Sequence, residues 1–206
     1  MGFSFGGMGG GVGGAAATDI GLVNFTRFAP GRLTAPSGPS AVYDGGGLPT
    51  RRMWLTPFSV PLAVNVTTGG MYRSSTSGAG TWNCGIYSSR YVSGTGYLPD
   101  SLLVWSFGAD NQAQGFHTTP LVIALAPHVL YWAAYSFDVS IGARCWHSEY
   151  MGAPFGCVPD GWSHCHMAYN DVSDLGYGVL PASFGSRVFT KDTVDLPQFI
   201  LAATPA

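Results

Sequence analysis

The feature that most constrains the fold is a run of short apolar segments between Trp82 and Phe137, separated by glycine, proline and aspartate turns. Segments of this length and composition are typical of β-strands. A sustained helical period with end caps occurs nowhere in the sequence. The pattern predicts strands near residues 82–88, 102–107, 120–126, 129–137, 139–145 and 196–203. We therefore expect an all-β fold, with the strands connected as a jelly-roll-like β-sandwich.

Two further strands are predicted upstream, over residues 53–58 and 62–67, where side chains alternate along the sequence. Alternation of this kind is typical of strands with one buried face each. We therefore expect both strands to be half-buried.

The longest apolar stretch covers residues 121–137 and is interrupted by Pro127 and His128. It is too short for a membrane-spanning helix, so we predict no membrane insertion. Its pattern indicates instead a buried hairpin that turns at this dipeptide. Leu121, Ile123 and Leu125 are expected on one face of the first strand of that hairpin.

The chain is predicted to divide into an anchoring arm, a linker and one domain. The arm covers residues 1–28, and its first 17 residues hold eight glycines and no charge. Such a segment cannot build a core of its own and would become ordered only against a partner. Phe3, Phe5 and Met8 are its candidate anchoring side chains. The alternative is a disordered tail.

Residues 29–50 are rich in proline, glycine and serine, which predicts an extended linker with one short strand at Ala41 to Tyr43. Residues 51–206 are expected to form the β-sandwich domain. A chain of 206 residues with 46% hydrophobic content has enough apolar side chains for one substantial core.

Charged residues make up only 10% of the chain, and the formal net charge is -2. So few charges solvate an isolated surface poorly, which suggests that neighbouring subunits cover part of it. The scattered arginines argue against nucleic-acid binding, because that function needs clustered basic residues. No signal peptide is predicted at the start of the sequence, so synthesis in the cytoplasm is expected.

The order of several segments resembles a domain that recurs in structural and host-attachment proteins of tailed bacteriophages. These segments are GIYSS, LPDSLLVWS, LVIALAPHVLYWAAYS, GYGVLPASFG and LPQFILAA, and they lie between about residues 50 and 203. The resemblance implies a virion subunit of a tail fibre, spike or baseplate, assembled in the host cytoplasm as a homotrimer. Its partners would be other virion proteins of the capsid, tail or baseplate, together with host-surface glycan. The alternative is a capsid decoration protein that reinforces the shell without binding a ligand.

The segment from Cys145 to His166 concentrates thiol and imidazole side chains, which are ligands that zinc prefers. The candidate metal ligands are Cys145, His147, Cys157, His164, Cys165 and His166. Their spacing is not that of a standard zinc finger. A structural zinc ion is therefore only one of three options for this segment. A disulfide between Cys145 and Cys157 is a second option, and a loop without any ligand is the third. No other cofactor is predicted.

The same segment carries aromatic side chains among polar ones, and Trp146, Tyr150 and Trp162 are the candidate carbohydrate contacts. Aromatic faces stack on sugar rings while polar neighbours bond the hydroxyl groups. The alternative is that these rings pack on the sandwich or on a neighbouring subunit.

Catalysis has little support in the sequence, so we predict that the protein is not an enzyme. Glycoside hydrolysis needs two facing carboxylates, and nothing pairs Glu149, the sole glutamate, with a second acid. A strained nucleophile elbow of the kind found in serine hydrolases is also missing from the sequence. Cys84 alternates with Trp82 and Ile86, which predicts a core position for its side chain.

Overall fold

A computed structural model describes residues 42–48, 53–74, 80–93, 96–109, 113–146, 167–169, 180–184, 190–191, 196–197 and 199–206. These residues form β-strands and their connections, and none of them is helical. The strands are β1 (Val42–Leu48), β2 (Met53–Ser59), β3 (Val64–Arg73), β4 (Thr81–Val92), β5 (Gly96–Ala109), β6 (Gly115–Leu125), β7 (Leu130–Phe137), β8 (Ile141–Trp146), β9 (Met167–Tyr169), β10 (Thr190–Lys191), β11 (Leu196–Pro197) and β12 (Ile200–Pro205).

The strands form two antiparallel sheets that pack as a β-sandwich, so the predicted fold class is confirmed. In the first sheet the order is β1, β8, β3 and β12, with β6 also paired to β3 and β11 to β8. In the second sheet the order is β10, β9, β2, β7, β4 and β5. The predicted arm, residues 1–28, lies outside the described residues.

The main core lies between the two sheets, and β3 shows how the sequence builds it. Val64 and Val66 point into this core, whereas Asn65 and Thr67 face solvent. The predicted half-burial of this strand is therefore confirmed. The second sheet contributes large rings to the same core, among them Trp54, Phe58, Trp82, Tyr131, Tyr135 and Phe137.

A second core covers the opposite, outer face of the second sheet. It contains Met53, Leu55, Tyr87, Trp132, Ala134, Leu180 and Phe184. Residues 180–184 cross this face, because the Tyr87 hydroxyl donates to the Pro181 carbonyl at 2.8 Å and the Leu102 amide donates to the Ala182 carbonyl at 2.9 Å. The prediction that residues 53–58 form a half-buried strand is thus wrong, since β2 is buried on both faces.

The predicted hairpin over residues 121–137 is also wrong, although its turn is correctly placed. His128 adopts a φ of 59°, and its amide donates to the Val60 carbonyl at 2.8 Å. The chain crosses between sheets at this turn, because β6 pairs with β3 and β7 pairs with β2 and β4. β7 is buried on both faces, which requires a central position in a sheet rather than a pairing with the edge strand β6.

The remaining strand predictions differ from the structure mainly in their boundaries. The short strand predicted at Ala41 to Tyr43 corresponds to β1, which continues to Leu48 and pairs with β8. The single strand predicted over residues 196–203 corresponds to two strands, β11 and β12, which pair with different partners. β9 and β10 are too short to produce a sequence pattern.

Candidate functional site

Most of the site residues predicted from the sequence lie outside the described residues. This holds for Phe3, Phe5, Met8, His147, Tyr150, Cys157, Trp162, His164, Cys165 and His166. The structure describes the backbone of Cys145 and Trp146 at the end of β8, where β1 pairs with β8 on one side and β11 on the other. The zinc site, the disulfide and the carbohydrate contact in this segment therefore stay predictions.

Within the described ranges, no group of three or more histidine, cysteine, aspartate or glutamate side chains is placed to hold a metal ion. Cys84 is free and fully buried, which confirms its predicted core position. Burial raises the pKa of the Cys84 thiol to about 12. The thiol therefore stays protonated at neutral pH and is a packing group rather than a nucleophile.

An apolar surface stands out on β5, and we call it the β5 stripe. It consists of Leu103, Trp105 and Phe107, which are 45%, 44% and 50% exposed. The intervening Val104 packs against the main core, and the intervening Ser106 hydroxyl lies 2.8 Å from that of Thr119 in β6. Strand alternation therefore directs the apolar side chains of the stripe outward.

A β-bulge sets where the stripe begins. Leu102 pairs with Tyr87 and Val104 pairs with Ile86, so Leu103 is the extra residue in β5. Bulges are common at sheet edges, where they redirect side chains. Here the bulge lies between Leu102, which packs against the second core, and Trp105, which does not belong to that core.

The stripe continues the apolar outer face of the second sheet. In register across the sheet, one row contains Leu55, Ala134, Gly85 and Trp105, and the next contains Met53, Ser136, Asn83 and Phe107. The members of each row on β2, β7 and β4 are buried, whereas the β5 members are half exposed. Along these two rows, the outer face is therefore covered on three strands and half exposed on β5.

Side chains and a backbone segment close part of the β5 edge. The Thr119 hydroxyl donates to the Phe107 carbonyl at 3.0 Å, and Ser101 forms an antiparallel bridge with Ser183. These contacts occupy positions at which an added strand would pair. The stripe is therefore better suited to contact through side chains than to extension of the sheet.

The tip of the β4–β5 hairpin presents a different surface, which is both aromatic and polar. Tyr91 and Tyr97 are 65% and 41% exposed, and their ring centroids lie 5.3 Å apart. By strand alternation, the side chains of Arg90 and Asp100, whose Nε and Oδ1 atoms lie 3.8 Å apart, project from the opposite face of the hairpin. The two tyrosines offer exposed rings that carry their own hydroxyl groups, a combination that can stack on a sugar and hydrogen-bond to it.

Sequence reasoning missed both surfaces of this hairpin. The alternation of Leu103, Trp105 and Phe107 is visible in the sequence and lies in the strand predicted over residues 102–107. Apolar alternation indicates a core face in most strands, however, and exposure depends on whether another segment covers that face. The sequence does not show how much of the outer face of the second sheet residues 180–184 cover.

Comparison with known proteins does not assign these surfaces. No family model matches the chain, and no curated protein matches it. In the described residues, no helix is long and apolar enough to cross a membrane. Any role for the hairpin must therefore be argued from its own side chains.

Proposed function

We propose that the protein is a structural subunit of a tailed-bacteriophage virion, in a fibre, spike or baseplate. The single observation that carries this proposal is the β5 stripe, a row of half-exposed apolar side chains on a strand of the sandwich. Aromatic side chains are enriched where protein subunits meet, and they carry a large share of the binding energy there. A subunit that assembles with neighbours in a virion would bury this row. The order of segments that resembles phage proteins supports the same role.

In this proposal other virion proteins are the main partners, and residues 1–28 anchor the subunit to them. A homotrimer fits the low charge content, because symmetric packing would cover further surface. The subunit performs no catalysis, binds no nucleic acid and does not insert into a membrane. The alternative role is capsid decoration, in which the same stripe contacts neighbouring shell proteins and no ligand is bound.

The hairpin tip favours the fibre or spike role over decoration. Tyr91 and Tyr97 offer two exposed rings that carry hydroxyl groups. A host-attachment subunit would use such rings to contact surface glycan, and for this reason the tip supports the fibre or spike role. The tip thus joins Trp146, Tyr150 and Trp162 as a candidate glycan contact.

The test substitutes the side chains of each surface separately in phage particles. It measures incorporation of the subunit and adsorption to host cells. Trp105→Ser with Phe107→Ser should reduce incorporation of the subunit, because the interface loses its aromatic anchors. Tyr91→Ser with Tyr97→Ser should leave incorporation intact and lower adsorption to host cells. The matched control is Val122→Ser on β6, since this side chain is exposed and lies on a different strand. Normal incorporation of the stripe variant would contradict the assembly role, and normal adsorption of the tip variant would favour decoration.

A further inference from the structure

The size of the β5 stripe limits what can cover it. A buried aromatic side chain contributes about 150–250 Å² of surface, so two half-exposed rings and one leucine leave roughly 250–300 Å² uncovered. A stable interface between free proteins buries about 800 Å² on each partner. The stripe can therefore be only one part of an interface between subunits, and in the unassembled subunit it suits a short apolar segment that is already tethered nearby.

The chain itself contains such a segment before β1. Residues 1–18 carry no charged side chain, and Phe3 and Phe5 are two positions apart, as Trp105 and Phe107 are on β5. Side chains at this spacing lie on one side of an extended backbone. The glycines that follow Phe5 lack side chains that would hold the backbone away from a flat surface. No charged side chain would have to be desolvated when this segment lies on the stripe.

The tether is long enough for this contact within one chain. The first described residue is Val42 in β1, so 23 residues separate it from residues 1–18, and an extended chain of that length covers roughly 75 Å at about 3.3 Å per residue. With strands about 4.8 Å apart and sheets about 10 Å apart, the sandwich is only roughly 30 Å wide. Because the segment belongs to the same chain, its effective concentration at the stripe exceeds that of a free partner, which compensates for the small contact area.

We propose that residues 1–18 of each chain dock on the β5 stripe of the same chain, with Phe3 and Phe5 against Trp105 and Phe107. This inference rests on the proposed function, because it concerns the two elements that assembly would use. In the unassembled subunit, this contact covers the apolar side chains of the arm and those of the stripe. A neighbouring virion protein that binds the arm would expose the stripe at the same step, so assembly surfaces become available only where a partner is present.

The experiment uses the full chain in solution, with a photoreactive benzoylphenylalanine in place of Phe5. Equal amounts of ¹⁵N-labelled and unlabelled chains are mixed before irradiation, so that mass spectrometry separates crosslinks within one chain from those between chains. We expect crosslinks within one chain, to the peptide that contains Trp105 and Phe107. The matched control carries the photoreactive group in place of Phe28, within the predicted arm and outside residues 1–18, and should not label this peptide.

Two sets of variants test the specificity of the contact. Trp105→Ser with Phe107→Ser should lower the crosslink yield by about fivefold or more, as expected when aromatic anchors are lost. Phe3→Ser with Phe5→Ser, made without the photoreactive group, leaves the sandwich unchanged and should increase hydroxyl-radical oxidation of Trp105. Crosslinks between differently labelled chains, crosslinks elsewhere on the sandwich, or unchanged Trp105 oxidation would each overturn the inference. All of these measurements use the isolated chain and no phage particles. A failure of the docking inference is therefore distinguishable from a failure of the proposed virion role.

Discussion

The Tyr135 hydroxyl in β7 donates a hydrogen bond to the Gly70 carbonyl in β3, and this bond joins the two sheets through the core. Gly70 has no room for a side chain, because a Cβ atom there would lie 2.5 Å from the His117 carbonyl oxygen. The Tyr135 ring also contacts Trp82 and Phe199, with ring centroids at 6.1 and 5.2 Å. A directional contact therefore supplements apolar packing between the sheets.

Replacing Tyr135→Phe should lower the free energy of unfolding by about 1–3 kcal/mol, because the Gly70 carbonyl loses a buried partner. Urea unfolding followed by circular dichroism measures this change. Tyr91→Phe is the matched control, since it removes the same hydroxyl from an exposed ring and should cost less than about 0.5 kcal/mol. Equal costs for the two variants would contradict a structural role for the bond between the sheets.

The stability of the fold should decrease as the pH rises above about 9. Burial raises the pKa of Cys84 to about 12. Burial also raises the pKa of Tyr135 well above its ordinary value, and the nearby Cys84 adds a smaller increase. The unfolded chain releases the thiol proton from about pH 9 and the phenol proton from about pH 10, whereas the folded chain retains both. The folded state therefore binds more protons, and stability falls with pH by up to about 1.4 kcal/mol per unit for each group.

The measurement for this pH dependence is the free energy of unfolding at several pH values from 7 to 11. Cys84→Ala should lower stability at neutral pH through the lost packing, and it should also make the alkaline decrease less steep. The slope of the unfolding free energy against pH reports only the ionisation of the thiol, because the packing loss does not vary with pH. A variant slope identical to that of the original chain would show that the Cys84 thiol does not contribute.

Side chains along β6 should differ in their contribution to stability according to which face they occupy. Leu121→Ala should cost about 2–5 kcal/mol, as for a fully buried leucine, whereas Ile123→Ala should cost less because its side chain is only partly buried. Val122→Ala, at an exposed position of this strand, is the control and should cost less than about 0.5 kcal/mol. Thermal melts of the three variants test this order. A larger cost for Ile123 than for Leu121 would contradict the assigned faces.

The individual strands were predictable because their signal is local. The alternation of β3 and the turn at His128 depend on neighbouring residues, and the sequence alone indicates both. Pairing is not local, so nothing in residues 121–137 distinguishes a hairpin from a crossover between sheets. The burial of the outer face of β2 depends on residues 180–184, which lie far along the chain.

The candidate site was less predictable than the fold. The aromatic residues of the β5 stripe look like core residues in the sequence, and only the tertiary arrangement shows that they are half exposed. The hairpin tip pairs Tyr91 with Tyr97 across a turn, and their proximity follows from the register of β4 and β5. The zinc site and the carbohydrate contact that the sequence indicates between Cys145 and His166 remain predictions.

If the proposed virion role is correct, phage particles contain this chain, and cryo-electron microscopy of such purified particles is the most direct test. We predict density for the sandwich at repeated positions in the tail, fibre or baseplate, with Trp105 and Phe107 buried against a neighbouring subunit. Particles that lack this chain would contradict the role, and so would particles in which the β5 stripe faces solvent.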